Sequence, residues 1–383
     1  MTDPLESGPH DRAADAAQTN GSSTDTEPGK SASNRSSVPV EQRGVSPSRP
    51  SASQRTLRSR PWSWVRLIRR KLPINNFAPV VGFLIFVVVA WVMVHELRDL
   101  PLREVGTYLA DLPLSYISLA FGLTALNFIV LSGYDWLSMQ YVGVDLPYRR
   151  VAFSAFIGYA FSQAIGNPLI TGGGVRYRLY SSWGLSGREI AKTVLFAGIS
   201  FWLGCFALGA FLFLGQPVSL QALELPVQPA LIGLACLLPT AGYVGLTSLR
   251  ERPLVVRGWS LDMPAQWMVP VQVGLAVCDL FVAASVLYVL LPSGADVSYL
   301  YLLGVFQIAL IAGVLSHVPG GLGVFDGILI MMLDPFLTTS VVVGAILGFR
   351  VIFHILPLTL ASLSYLAFET LQVQESMSER PTA

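Results

Sequence analysis

Charge is scarce in this sequence, and so are the residue types that usually carry chemistry. Only 13% of the 383 residues are charged while 52% are hydrophobic, and the apolar residues fall in long blocks, which excludes an ordinary soluble domain. There are 3 cysteines, Cys205, Cys236 and Cys278, each inside an apolar segment and without metal-ligand spacing. They read as small buried hydrophobes, not as a disulfide or zinc framework. The 4 histidines, His10, His95, His317 and His354, are scattered, with no HExxH pair, no nucleophile elbow and no Walker-type loop. A metal-dependent hydrolase and an ATP-driven pump are therefore not expected, and no cofactor or metal is called for. Lysine is nearly missing, with Lys30, Lys71 and Lys192 the only lysines among 25 basic residues, so arginine carries the positive charge.

Long apolar runs are also missing from the first 60 residues, which are rich in Ser, Pro, Asp, Thr and Arg and are expected to be a disordered polar tail. Residues 61–75 form a basic juxtamembrane segment. Between Arg55 and Lys71 there are seven basic residues, no acidic one, and Trp62 and Trp64 interleaved. This suits an interface with anionic lipid; with a span directly after it, a nucleic-acid partner is not expected. Residues 76–371 make up the transmembrane domain and 372–383 a short cytoplasmic tail.

Apolar stretches of span length are expected near 76–95, 113–133, 190–214, 229–248, 268–291, 298–317, 321–336 and 338–357, the last continuing to about 371. Arginines and Lys192 gather in 134–150, 166–192 and 249–267, whereas 215–228 and 292–297 have no basic residue, so the first three loops are expected in the cytoplasm together with both termini. Only one short apolar segment, 151–166, separates two of those cytoplasmic loops. It should therefore be re-entrant. The fold class implied is an all-α polytopic integral membrane protein with about eight transmembrane helices plus re-entrant segments broken by Gly and Pro.

The most unusual stretch is GNPLITGGGVRYRLYSSWGLS, Gly166 to Ser186. Gly172, Gly173 and Gly174 should break the helix, and buried irregular backbone needs protein or a water-filled cavity around it. Arg176 and Arg178 would set positive charge beside that cavity, with Tyr180 one helical turn beyond Arg176, to receive an anionic head group. The same residues also fit a cytoplasmic loop with ordinary positive-inside arginines. A second break, SHVPGGLGVFDG, puts Pro319, Gly320, Gly321 and Gly323 in a turn. Paired breaks of this kind suggest an inverted repeat with a binding site between its halves. Ionisable residues inside apolar segments point the same way: Asp279, and Arg350 with His354 four residues on, are expected to face a partner or water, Asp279 and Arg350 either as a buried ion pair or in a lipid or proton path. Pro357 should then bend or end that helix. Asp135 and Asp326 lie nearer segment ends and read as solvated. Gln307 and His317 read as interhelical hydrogen-bonding groups.

These stretches, TGGGVRYRLYSSWGLS with the following REIAK, GYDWLS, VLYVLLP, HVPGGLGVFDG and FRVIFHILPL, resemble the membrane domain of the bacterial lysylphosphatidylglycerol synthase/flippases, the multiple peptide resistance factors. The resemblance covers about residues 75–370. It implies a lipid translocator in the bacterial cytoplasmic membrane, moving an anionic or aminoacylated phospholipid such as lysylphosphatidylglycerol between leaflets. It also implies that Gly172, Gly173, Gly174, Arg176, Arg178, Asp279, Arg350 and the Pro319–Gly323 turn line or brace the lipid path. The sequence stops at Ala383, short of the family's soluble aminoacyltransferase, so translocation and not synthesis is the expectation. The other reading is a non-transporting subunit that anchors or regulates a separate lipid-modifying or cell-envelope enzyme. Membrane phospholipids are the expected partners, and a homo-oligomer stays open.

Overall fold

A computed structural model describes residues 102–165, 171–215, 228–250, 254–256 and 259–378. The polar tail, the basic segment, the expected span at 76–95 and the residues 166–170 lie outside the described residues. The described chain is helical apart from one small hairpin. In order come α1 (Leu102–Asp111), α2 (Leu114–Val142), α3 (Tyr148–Ile165), α4 (Thr171–Ser182), α5 (Gly187–Leu214) and α6 (Pro229–Leu249). Two short antiparallel strands, β1 (Leu254–Val256) and β2 (Trp259–Leu261), follow, an addition to the all-α expectation. Then come α7 (Met268–Leu290), α8 (Tyr299–Ser316), a 3-10 turn (Pro319–Gly321), α9 (Val324–Leu333), α10 (Thr339–Phe349), a π-helical turn (Arg350–Ile355) and α11 (Leu356–Ser378). Among the described residues six helices are long and apolar enough to cross a membrane, with the run from Thr339 to Gln372 counted as one. This is a multi-pass membrane protein.

Local sequence accounts for the ends of these helices. Ser186 and Glu189 form a reciprocal capping box that starts α5. Gly143, at φ 75°, closes α2 in the left-handed conformation that costs a side chain most. Pro357, expected to bend or end its helix, does not end it. It cannot donate to the carbonyl a turn earlier, and the chain accommodates it by widening to a π turn over Arg350–Ile355 just before it and then running on to Ser378. The expected span at 321–336 is too long: its ordered helix, α9, has 10 residues and reaches about 15 Å, half of a hydrocarbon core of about 30 Å. Of the cysteines only Cys205 is buried; Cys278 is exposed.

The helices form two span–hairpin–span sets running in opposite directions. In the first, α3 and α4 fold back on each other between α2 and α5. The Arg150 guanidinium at the start of α3 lies 5.7 Å from the Trp183 ring at the end of α4, so the chain leaves on the side where it entered, as expected for a re-entrant segment. That side also carries the Tyr141 hydroxyl bonded to the Asp262 carbonyl and the Lys192–Asp262 ion pair at 2.7 Å, which bring the loops after α2, α4 and α6 together. In the second set, α8 and α9 fold back between α7 and α10, with the Tyr301 hydroxyl at the start of α8 donating to the Met332 carbonyl near the end of α9. Since α7 begins on the Asp262 side and ends where Leu290 accepts from Tyr108 of α1, this hairpin enters from the opposite face. The principal seam of the molecule is α2 against α7, with α5 packed on both. A core of buried aliphatic and aromatic side chains, Leu208, Leu280, Leu302, Phe306, Phe349 and Phe353 among them, fills the second set.

Candidate functional site

The three glycines do not break the chain. Gly172, Gly173 and Gly174 lie inside α4, because one turn of helix flanked by packed partners outweighs a propensity cost of about 1 kcal/mol per glycine. One of them has a steric task. A Cβ on Gly172 would collide with Ser162 Oγ and come within 3.0 Å of the Gly158 carbonyl oxygen and 2.9 Å of Arg176 Nη1, while one on Gly158 would lie 3.0 Å from the same Nη1. Gly158 and Gly172 thus form a slot that lets α3 and α4 close around the Arg176 guanidinium. Around Gly174 there is open space, and beside Gly173 only an ordinary contact with Val194.

In that slot Arg176 does not face a cavity. Its Nε and Nη2 grip the Asp135 carboxylate at 2.8 and 2.9 Å, and the Tyr180 hydroxyl donates to Asp135 Oδ2 at 2.7 Å. The Tyr159 ring lies 4.3 Å from the guanidinium carbon. Asp135 is fully buried and Arg176 only 3% exposed, so Asp135 is no solvated residue. The site expectation named Arg176 and missed its partner, 41 residues away on α2. Arg178 is also paired, its Nη2 bonding Glu369 of α11 at 2.8 Å. The two expected phosphate-binding arginines are thereby committed to carboxylates, and they tie α4 to α2 on one side and to α11 on the other.

The second break is real. Gly320, Gly321 and Gly323 all take positive φ, at 61°, 64° and 76°, which is where side chains are strained. Gly321 and Gly313 also approach each other closely between the hairpin arms. After the turn Asp326 accepts the Gly323 amide at 3.0 Å, capping α9, and accepts from Arg350, whose Nη2 lies 2.9 Å from both oxygens and whose Nε lies 3.2 Å from Oδ1. Arg350 therefore pairs with Asp326 and not with Asp279. Among the described residues the Asp279 carboxylate is met by Asn127, whose Nδ2 donates to Oδ1 at 2.7 Å, and by the Tyr134 hydroxyl, which donates to Oδ2 at 3.2 Å. Gln307 makes the expected interhelical bond, to the Cys205 carbonyl at 2.6 Å, whereas His317 bonds locally to the Leu315 carbonyl.

The end of α3 meets the second break. A cavity of about 20 Å³ lies between Gln163 and Ala164 at the end of α3, Gly320 in the second break, Arg350, His354 and Ile355 of the π turn, and Leu358. That is room for about one water molecule. Among the described residues two buried polar atoms of this group, Gln163 Oε1 and His354 Nδ1, have no hydrogen-bond partner. Arg350 and His354 thus share one site, as their spacing of four suggests. Gln163 was not foreseen, because a glutamine within an apolar helix carries no signal of what will face it. Gly172, Arg176, Tyr180 and Asp279 do not line this cavity. No cluster of three or more potential metal ligands occurs among the described residues.

The sequence profile described as the lysylphosphatidylglycerol synthase TM region matches residues 80–361, which takes in every element from α1 to the start of α11. The chain belongs to this family. Within it, the chain is 36% identical over 304 residues to the uncharacterized protein slr0712 of Synechocystis, covering 78% of this chain and 94% of that one. It is 29% identical to the inner membrane protein YbhN of Escherichia coli, over 76% of this chain and 92% of the relative. It is 24% identical to the phosphatidylglycerol lysyltransferase of Bacillus subtilis, over 60% of this chain but 27% of that protein. The lysylphosphatidylglycerol synthase TM region is thus matched here both by relatives of similar extent and by a segment of longer lysyltransferases.

Proposed function

We propose that this chain is a lipid translocator that moves an anionic or aminoacylated phospholipid between the leaflets of a bacterial cytoplasmic membrane. The observation that supports this most is the meeting of two hairpins, entering from opposite faces and the second of them broken at its glycines, at a small cavity lined by Arg350, His354 and Gln163. Broken segments of an inverted repeat are where transporters hold their substrates. In this reading Arg350 is the head-group ligand: a phosphate matches the carboxylate geometry of Asp326 and takes over its guanidinium fork, while the acyl chains stay in the bilayer. Arg176 and Arg178 act indirectly, fixing the first hairpin so that its tip presents Gln163. The names of the longer relatives, phosphatidylglycerol lysyltransferases, favour a phosphatidylglycerol derivative, and the name of the inner membrane protein YbhN favours the inner membrane. The loops joined through Asp262 and Lys192 face the cytoplasm, as do both termini.

The test is leaflet exchange in proteoliposomes holding the full chain and a trace of head-group-labelled phosphatidylglycerol. Wild-type protein should accelerate exchange, and Arg350→Gln should slow it by about tenfold or more, equivalent to about 1.4 kcal/mol in the barrier. Exchange no faster than in protein-free vesicles would defeat the reading. For orientation, single cysteines at Arg149 and Ser186 should be labelled from the same, cytoplasmic, side.

A further inference from the structure

Of the acidic side chains drawn into the helix bundle, Asp135, Asp326 and Glu369 each face an arginine. Asp279 does not. It lies near the middle of α7, is 7% exposed, and among the described residues has no cationic partner. Its two oxygens are met by neutral donors on α2, Asn127 and Tyr134. An unpaired carboxylate in such surroundings loses its hydration without a compensating charge, and the usual outcome is that it takes up a proton.

The local geometry accepts either form. With the carboxylate ionised, Tyr134 donates to Oδ2 along the 3.2 Å contact. With Oδ2 protonated, the same contact reverses: the acid donates and the Tyr134 oxygen accepts, while Oδ1 keeps its bond from Asn127. No other group has to move. The titratable groups facing Asp279 are Tyr134 from α2, Tyr159 from α3, Cys205 from α5 and its own neighbour Cys278. Tyr299 of α8 is bonded further along α7, to the Phe281 carbonyl and Ser285, and α10 carries no titratable side chain. Arg176, whose guanidinium lies against the Tyr159 ring, is taken up by Asp135.

Position adds to chemistry. Asp279 sits on the seam between α2 and α7, the two spans that feed the oppositely directed hairpins. Alternating access moves one half of an inverted repeat against the other, and in the translocator reading this seam lies between the halves. We propose that Asp279 is a proton-binding site that couples lipid translocation to proton movement. This rests on the translocator reading given above. In the closed seam the side chain is a neutral acid; when the halves part, water reaches Oδ2 and takes the proton. One proton enters from water on one side and leaves to water on the other, no other bond is made or broken, and Tyr134 keeps its own proton.

Infrared spectroscopy on the full chain in lipid nanodiscs tests the site without transport. A protonated-carboxyl carbonyl band is expected in wild type, lost as the pH is raised, absent in Asp279→Asn and retained in Asp145→Asn, an exposed loop residue. Absence of the band from wild type, or a band that no change of pH removes, overturns the proposal. In proteoliposomes with an imposed pH gradient, the ratio of inward to outward lipid transfer should shift by up to about tenfold per pH unit for one proton per lipid. The ratio for Asp279→Asn should not respond. A wild-type ratio indifferent to the gradient overturns the coupling, whereas a titrating band in a protein that moves no lipid upholds the proton site and defeats the translocator reading instead.

Discussion

The two hairpins are built alike and held differently. Each pairs an arm of 18 residues, α3 or α8, with a shorter one, α4 of 12 or α9 of 10. The first is clamped by Asp135 and Arg176, with side chains 0% and 4% exposed, a tyrosine bonded to the carboxylate and another tyrosine stacked on the guanidinium. The second is held by Asp326 and Arg350, 22% and 7% exposed, over three glycines at positive φ and beside a cavity. A buried pair fully satisfied by its neighbours resists separation, whereas a partly exposed one next to empty space gives up its carboxylate to a competing anion more readily. The first hairpin is therefore the fixed element and the second the one that yields.

Removing one partner from each clamp breaks that comparison most directly. Asp135→Ala leaves Arg176 buried and unpaired and should cost about 3–5 kcal/mol, seen as a collapse of thermal stability in detergent. Asp326→Ala should cost about 1.5–3 kcal/mol, the range for charge-assisted hydrogen bonds, and should slow lipid exchange by trapping phosphate on the freed Arg350. Equal losses would erase the distinction between the hairpins. Next, Gly172→Ala should destabilise by about 1–3 kcal/mol through overpacking against Ser162 and the Gly158 carbonyl. Gly174→Ala, in open space, should be neutral or stabilise by up to about 1 kcal/mol in the same melt. The smallest effect belongs to Glu369→Gln, which relieves a part-exposed pair with Arg178 and should shift stability by about 1 kcal/mol or less.

Much of this was legible from sequence because bilayer physics writes it in plain terms. Arg149 and Arg150 in the first turn of α3, with Arg188 and Lys192 at the start of α5, argue that the intervening apolar segment returns to the side it left, and it does. Pro319, Gly320 and Gly321 mark a turn that only their conformations accept. Partner choice was not legible. Asp135 and Arg176 are 41 residues apart, and nothing in either neighbourhood names the other. The sequence offered Asp279 as the partner of Arg350 and left Asp326 as a solvated residue, and the placement of α9 reversed that. The triple glycine misled because the same absence of a side chain serves to end a helix or to admit a neighbour, and only the packed arrangement, with Arg176 lying between Gly158 and Gly172, tells the two apart.

The π turn at Arg350–Ile355 amounts to one surplus residue carried within a continuous helix. Such a surplus can be handed along the helix from one turn to the next, as a wrinkle travels along a carpet, without breaking the rod. Each residue over which it moves is turned by about 100° relative to the rest. Arg350 and His354 lie in this stretch, so passing the wrinkle along would swing the guanidinium away from Asp326 while α10 and α11 keep their places against the core. The helix carries its own bearing, and in the translocator reading proposed above a head group is handed on by that local turn while the rest of the rod stays in place.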